Sequence, residues 1–422
     1  MFGLDAAHSH YSATENAISK SNVSKLVQHF TGQTGGAVDS SPAVANGVVY
    51  VGSGDDKLYA FDANGATNCS GTPNRCSPLW TAMTGGGVGS SPAVINGVVY
   101  VNSGDNLLYA FDANGATNCS GTPKVCSPLW TAQTGGQPSS PTVANGVVYS
   151  GGSSVYAFDA NGITNCSGTP KVCAPLWTSS FTGLGYSSSP AVANGVLYAS
   201  GVDDKLYAYD ANGATNCSGT PKTCSPLWTA TLGTTTSDST PAVVGGVVYV
   251  GSNDSKLYAF DANGNTNCSG APKTCGPLWT AATPNPFNFS SPAVANGVVY
   301  AGSSDLEAFD ANGTTNCSGA PKTCTPLWAA NVGVMDSSPS VANGLVFIGS
   351  FSNFGGQKFG VEAFDATGTT DCSGIPKLCT PLWTGVTGSP VLSSPAMANG
   401  KVYAGDGLPI FFDNKLYAFG LR

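Results

Sequence analysis

Charge is what this chain has least of. Only 9% of its 422 residues are Asp, Glu, Lys or Arg, about a third of ordinary usage. The net charge is −8 and no Lys/Arg stripe marks any segment, so the footprint of a nucleic-acid binder is missing. Histidine is confined to His8, His10 and His29, and a Ser-His-Asp arrangement would have to recruit one of these. No run approaches the roughly eighteen apolar residues that a membrane-crossing helix needs. No two cysteines are adjacent, and the haem-attachment pattern Cys-x-x-Cys-His is absent. No glycine-rich loop opens a helix to cradle phosphate. The start shows no charged n-region, apolar h-region or cleavage site, and reads as a mature chain with an added initiator Met.

One phrase fills the chain instead. Ser-Ser-Pro-Ala-Val, or a close variant, begins at Ser40, Ser90, Ser139, Ser188, Ser239, Ser290, Ser337 and Ser393, a period near fifty residues. Eight copies of a four-strand phrase predict an all-β, eight-bladed β-propeller of four-stranded antiparallel blades. Within the first copy, Ser40–Ala45 is a short strand and Asn46-Gly47 a two-residue hairpin turn. Val48–Gly52 and Lys57–Asp62 alternate as the second and third strands, and Pro78–Ala82 is the outer fourth. The last copy stops after its third strand, at Tyr417–Gly420, and Leu26–Thr31 has the look of the missing fourth, with Phe30 where the blades carry Trp. The ring is therefore expected to close by pairing strand 25–31 with the carboxyl-terminal blade, leaving no free edge at the seam. The expected organisation is a leader, 1–24, and one propeller domain, 25–422. Trp80, Trp130, Trp177, Trp228, Trp279, Trp328 and Trp383 recur once per repeat, which assigns them to packing between blades.

Cysteines come in pairs seven apart: Cys69/Cys76, Cys119/Cys126, Cys166/Cys173, Cys217/Cys224, Cys268/Cys275, Cys317/Cys324 and Cys372/Cys379. Each pair encloses Ser-Gly-x-Pro, which turns the chain back and brings the two Cα atoms within disulfide range. Zinc is the rival reading, but it wants four ligands, and the histidines lie elsewhere. The expected role of the disulfides is structural: each staples an exposed insertion that would otherwise fray. Seven of them imply export into an oxidising compartment: secreted, at the cell surface, or periplasmic. Asn-Cys-Ser recurs at Asn68, Asn118, Asn165, Asn216, Asn267 and Asn316, with Asp371 in the seventh copy; beside a locked cysteine this reads as a polar turn, although it is formally a glycosylation sequon.

The phrase LYAFDANG…LWTA resembles the tryptophan-docking repeat of the PQQ-like eight-bladed propellers, with Ala60, Asp62, Gly65 and Trp80 on the motif positions. FGLDAAHSHYS…AISKSNVSKLV is similar to that family's opening segment. The resemblance covers nearly the whole chain; the disulfide loop between Gly65 and Trp80 departs from it. It implies the propeller fold but not one activity, because the family spans quinoprotein dehydrogenases, a propeller subunit of the outer-membrane β-barrel assembly machinery, and exported proteins without an assigned role. In the dehydrogenases of the family, PQQ sits in the central funnel with a calcium held by Glu, Asn and Asp. This chain has only Glu15, Glu307 and Glu362, the latter two at third-strand positions where sister repeats have Tyr. The carboxylate of each Asp-Ala-Asn-Gly turn is expected to cap its own backbone rather than bind calcium. No cofactor, no metal and no catalytic residue is expected.

The copies disagree in one place. The Asn-Gly turns and disulfide loops, expected on one face of the disc, are near-identical. The connections between blades and the second-to-third turns, expected on the other, diverge and gain aromatics: Phe181, Tyr186, Phe287, Phe289, Phe351, Phe354, Phe359, Phe411 and Phe412. Loops on a rigid scaffold carry recognition, so these are the candidate ligand-binding residues; the competing reading is that the rings plug the channel or cover blade edges. The leading expectation is an exported, non-catalytic propeller that binds a protein, a glycan or another copy of itself through this face. The alternatives are a self-assembling surface protein in contact through its repeated loops, and a PQQ-dependent oxidoreductase.

Overall fold

A computed structural model describes residues 4–136, 139–180, 188–233, 239–287, 290–333, 336–351, 359–407 and 413–422. Eight sheets stand around an axis. Their innermost strands, Ala43–Ala45, Ala93–Ile95, Thr142–Ala144, Ala191–Ala193, Ala242–Val244, Ala293–Ala295, Ser340–Ala342 and Ala396–Ala398, define blades 1 to 8 and touch one another in a closed circuit. The only helical segment among the described residues is the 3-10 turn Val23–Lys25.

Local chemistry explains each blade. Asn46 and Gly47 both adopt positive φ, 50° and 78°, the geometry a two-residue hairpin requires. The second strand (Val48–Ser53) pairs antiparallel with the third (Lys57–Asp62), and the third with the outer strand (Trp80–Met83). Val49, Tyr50 and Val51 are all buried. The middle strands are apolar on both faces because a neighbouring blade lies against each, and every gap between blades holds one apolar cluster. Trp80 donates its indole N–H to the Ala113 carbonyl of the next blade at 3.2 Å. Gly115, at φ 61°, admits that ring: a Cβ there would sit 2.2 Å from Trp80 Cδ1. The Tyr50 hydroxyl donates to the same carbonyl at 2.9 Å, a second docking contact that the sequence reading did not assign. The pattern repeats at Trp177/Tyr149, Trp228/Tyr198, Trp279/Tyr249 and Trp328/Tyr300.

The ring closes as expected, with a small shift. Val27–Gln33, rather than 25–31, pairs antiparallel with Lys415–Gly420, and the register slips once between Gln28 and Phe30. Phe30 is fully buried in the Trp position.

The blades are wider than the predicted four strands. All seven cysteine pairs are disulfides with Cα atoms 4.0 Å apart, and no free cysteine is present among the described residues. Each closes a tiny hairpin, such as Cys119–Ser120 with Lys124–Cys126. That hairpin does not extend its own blade. Lys124–Cys126, from blade 2, runs parallel to Trp80–Met83 of blade 1, and the same exchange makes seven six-stranded sheets.

The expectation of an exposed insertion is therefore corrected for one half of every disulfide. The second cysteines, Cys76, Cys126, Cys173, Cys224, Cys275, Cys324 and Cys379, are buried at 0–4% exposure. Each belongs to the apolar cluster between its own blade and the one before it. The first cysteines, from Cys69 to Cys372, stay half-buried. The physical reason is the strand exchange: the returning arm of the hairpin lies along a neighbour's outer strand and turns its sulfur inward. The loops read as stapled insertions are clasps from each blade onto the preceding one.

Candidate functional site in the channel and on the divergent face

The Ser-Ser-Pro element builds the channel wall. The first serine's hydroxyl accepts from its own blade, as Ser40 Oγ does from the Gly52 N–H at 3.0 Å. The second serine bonds around the ring. Backbone N–H groups donate from Ser41 to Ser91 Oγ, and onward through Ser140, Ser189, Thr240, Ser291, Ser338 and Ser394 back to Ser41, at 2.9–3.1 Å. These buried polar groups are satisfied only because the blades close.

Inside this wall lies the chain's own leader. The Ala6, Ala7, Ser9 and His10 carbonyls accept from the N–H groups of Val192, Val243, Val294 and Val341, the innermost strands of blades 4 to 7 in order. Tyr11–Ser12 then pairs parallel with Val341–Ala342. His8 and His10 sit at φ 55° and 54°, left-handed conformations uncommon for residues with a Cβ, and these bend the leader into an arc that follows the ring. His8 Nε2 meets Thr142 Oγ1 of blade 3 at 2.7 Å. Both imidazoles are buried. Burial, with His10 close by, holds His8 well below the usual value; burial lowers His10 to about 4 against a hydrogen bond with the Pro339 backbone. The two are neutral at pH 7 and act as polar plugs. Beyond the channel, Glu15 Oε2 accepts from the Gly400 N–H at 2.7 Å, Lys20 pairs with Asp365 at 3.2 Å, and Ile18, Val23 and Leu26 bury between blades 7 and 8. Sequence reasoning saw an opening segment here, not a channel filling. The available signal was two histidines among small residues ahead of the first repeat.

Connections between blades and second-to-third turns do share a face: the Gly54 N–H donates to the Ala37 carbonyl at 2.9 Å, while Ala63 bonds Gly47 on the other face. On the divergent face, Asp39 and Asp336 immediately precede the first serines of blades 1 and 7. Asp39 is open to solvent yet walled in by protein; desolvation, then the Asp336 charge, raises its carboxyl to about 6. Of the aromatic candidates, Phe181, Tyr186, Phe289, Phe354, Phe411 and Phe412 fall outside the described residues. Phe351 and Phe359, both half-buried, flank the blade 7 turn with ring centroids 6.5 Å apart. Phe287 is corrected: it is 0% exposed, in the core between blades 5 and 6, against Gly251. It occupies the place of Val88, which packs on Gly52. Val88 stands two residues ahead of its Ser-Ser-Pro element and Phe287 three ahead, so the equivalence is spatial and was not readable from the sequence register.

The two glutamates that replace Tyr face blade interfaces, not the channel. Glu307 lies opposite Ala301 as Tyr59 lies opposite Val51, and each glutamate is 5% exposed. Burial raises Glu307 to about 8, with Asp305 adding to it, and Glu362 to about 7 against a hydrogen bond with Ser350. The Asp-Ala-Asn-Gly carboxylates are caps: Asp62 accepts from the Asn64 and Thr67 N–H groups at 2.9 and 2.6 Å. Asn68, in the formal sequon, donates to the Pro78 carbonyl at 3.2 Å.

The sequence matches the family described as outer membrane protein assembly factor BamB over residues 11–163 and 173–419. The chain belongs to that family. Among curated proteins none matches. Similar solved structures include BamB from Moraxella catarrhalis, 14% identical, covering 94% of this chain and 98% of that one at a TM-score of 0.61. Quinohemoprotein alcohol dehydrogenase ADHIIG from Pseudomonas putida HK5 is 14% identical, with 100% and 79% covered and a TM-score of 0.63. The computationally designed Ika8 protein is 10% identical, with 93% and 99% covered at 0.63. At these identities the likeness is one of fold, shared by a family that holds enzymes and non-enzymes alike. Among the described residues the channel does not offer the quinone-and-calcium set: the leader is bonded along the innermost strands of blades 4 to 7, and no group of three His, Cys, Asp or Glu is poised for a metal.

Proposed function

We propose that this chain is an exported, non-catalytic binding propeller that presents its divergent face to a protein partner. The observation that carries this reading is the leader bonded along the innermost strands of blades 4 to 7, which engages N–H groups of those strands that would otherwise be open to a small ligand. Seven disulfides fit an oxidising compartment, and no described helix is long and apolar enough to cross a membrane. The rigid ring and near-constant opposite face leave variation to the loops, where recognition is usually carried. Two measurements test it. Equilibrium dialysis with PQQ and calcium is expected to show no stoichiometric uptake; one quinone per chain would return the oxidoreductase reading. Affinity capture from the exported fraction of the source cells is expected to retain a partner that Phe351→Ser with Phe359→Ser releases. Retention unchanged by that variant would move recognition off this face.

A further inference from the structure

Among the described residues, seven outer strands are covered by a disulfide hairpin from the following blade, and one is not. Trp383–Val386 of blade 7 is the last strand of a five-stranded sheet. In covered blades the outer strand donates outward: the Thr131, Thr178, Thr229, Thr280 and Ala329 N–H groups reach the carbonyls of Lys171, Lys222, Lys273, Lys322 and Lys377, each at 3.0 Å. Thr384 has the same register, opposite Glu362 as Thr131 is opposite Tyr109, so its N–H faces a position that no described strand fills. Trp383 is 9% exposed where the other six tryptophans are 1–2%. Each hairpin springs from the gap between a blade's third and fourth strands. In blade 8 that gap lies between Gly420 and Val27, and a groove lined by Asn22, Ser24, Lys25, Val27, Leu421 and Arg422 opens there. Lys25 and Arg422 are exposed in it and no acidic side chain lines it, in a chain of net charge −8.

We infer that this edge and groove receive an extended segment of a partner polypeptide, added as a parallel strand beside Trp383–Val386. The seven clasps define the occupant. Its strand runs parallel, its carbonyl takes the Thr384 N–H, and a small apolar side chain lies opposite Gly385, as buried Cys126 lies opposite Ala82. Acidic residues flanking the strand meet Lys25 and Arg422. A second copy suits the site poorly: two-fold symmetry would set the two edges antiparallel, and the copy's own hairpins are engaged within its ring. Strand addition supplies affinity through main-chain bonds and specificity through alternate side chains. The edge strand ends beside Phe359, where the Thr387 N–H donates to the Phe359 carbonyl at 3.0 Å, but Thr384 and the Lys25 groove are altered without touching either phenylalanine, so the two readings are tested separately.

The probe is a synthetic oxidised peptide with the sequence of residues 117–126, flanked by Glu-Glu and labelled for anisotropy. One-to-one binding is expected, weakened about tenfold or more by Thr384→Pro, which removes an outward N–H at a position where an edge strand tolerates proline. Lys25→Glu, remote from the sheet bonds, weakens it about threefold or more and guards against a folding defect in the proline variant. Hydrogen exchange supplies the second readout: in the free protein the Thr384 amide exchanges about a hundredfold faster than that of Thr131, and the peptide slows it. No binding at millimolar peptide, equal binding by both variants, or a Thr384 amide already protected in the free protein would each overturn the inference.

Discussion

The interface between blades 1 and 2 and that between blades 5 and 6 solve one packing problem in opposite ways. In the first, the bulk comes from a strand: Tyr109 stacks on Phe111, and a small Val88 arrives from the connection. In the second, the strand carries Glu307 and the bulk arrives from the connection as Phe287. An aromatic has moved from the sheet to the linker. If the two differences compensate, near-identical repeats hide a pair whose one member, judged alone, is misread as a binding residue.

Truncation should separate the two interfaces most. Phe287→Ala is expected to cost about 3–5 kcal/mol and Val88→Ala distinctly less, in urea unfolding of the intact chain, because the aromatic leaves the larger cavity. Equal costs would mean that the 5–6 interface collapses around the loss. Next in size is an exchange of solutions. Phe287→Val and Glu307→Tyr should each cost about 1–3 kcal/mol, one by a cavity and one by overpacking. The double variant rebuilds the blade 2 arrangement and should cost less than the two added; strict additivity would show that the residues do not compensate.

The smallest effect is electrostatic and depends on pH. Glu307 is raised to about 8 in the folded protein, above its ordinary value near 4.5. Between these values the folded state holds a proton that the unfolded state has released, so stability falls as pH rises through the window and levels off above about 8. Glu307→Gln removes this dependence, so its stability relative to the parent should improve from pH 5 to pH 8, by an amount of order 1 kcal/mol. Blade 2 holds Tyr109 at that position, raised to about 12 by burial and the Asp105 carboxylate, and Tyr109→Phe should show no such slope in that range. The caps give the opposite sign in both interfaces. Burial opposes ionisation of Asp112, but the Thr117 and Asn114 N–H groups outweigh it and hold the carboxyl below its ordinary value. Asp112→Asn should therefore lose a contribution that the parent keeps at neutral pH and sheds as pH falls below about 4.

Much of this was legible. The copy number, the Asn-Gly turns, the disulfide pairs, the Asp62 cap and the Trp80 contact follow from local spacing, because each depends on residues within one repeat or on a motif shared by all. What escaped depends on a neighbour. The clasp of Lys124–Cys126 onto Trp80–Met83 joins two repeats, and nothing inside either copy says which blade the hairpin will choose. The burial of Cys76 and its six counterparts escaped with it, since a cysteine pair looks alike whether its outer arm faces water or a neighbouring strand. The leader's path was hidden for the same reason: Ala6 to His10 bond to four blades more than 180 residues away, with no repeat of their own to be compared against.

The serine belt has a further consequence. Every bond in it points the same way around, each blade donating to its successor, and the step from Ser394 to Ser41 is made like any other. The belt thus has a direction but no beginning, although the succession of blade strands along the polypeptide both starts and stops in blade 8. Only a complete turn leaves no donor idle, so a ring opened at any one seam would leave an unpaired N–H on one side of the break and an unpaired hydroxyl on the other, both at the axis.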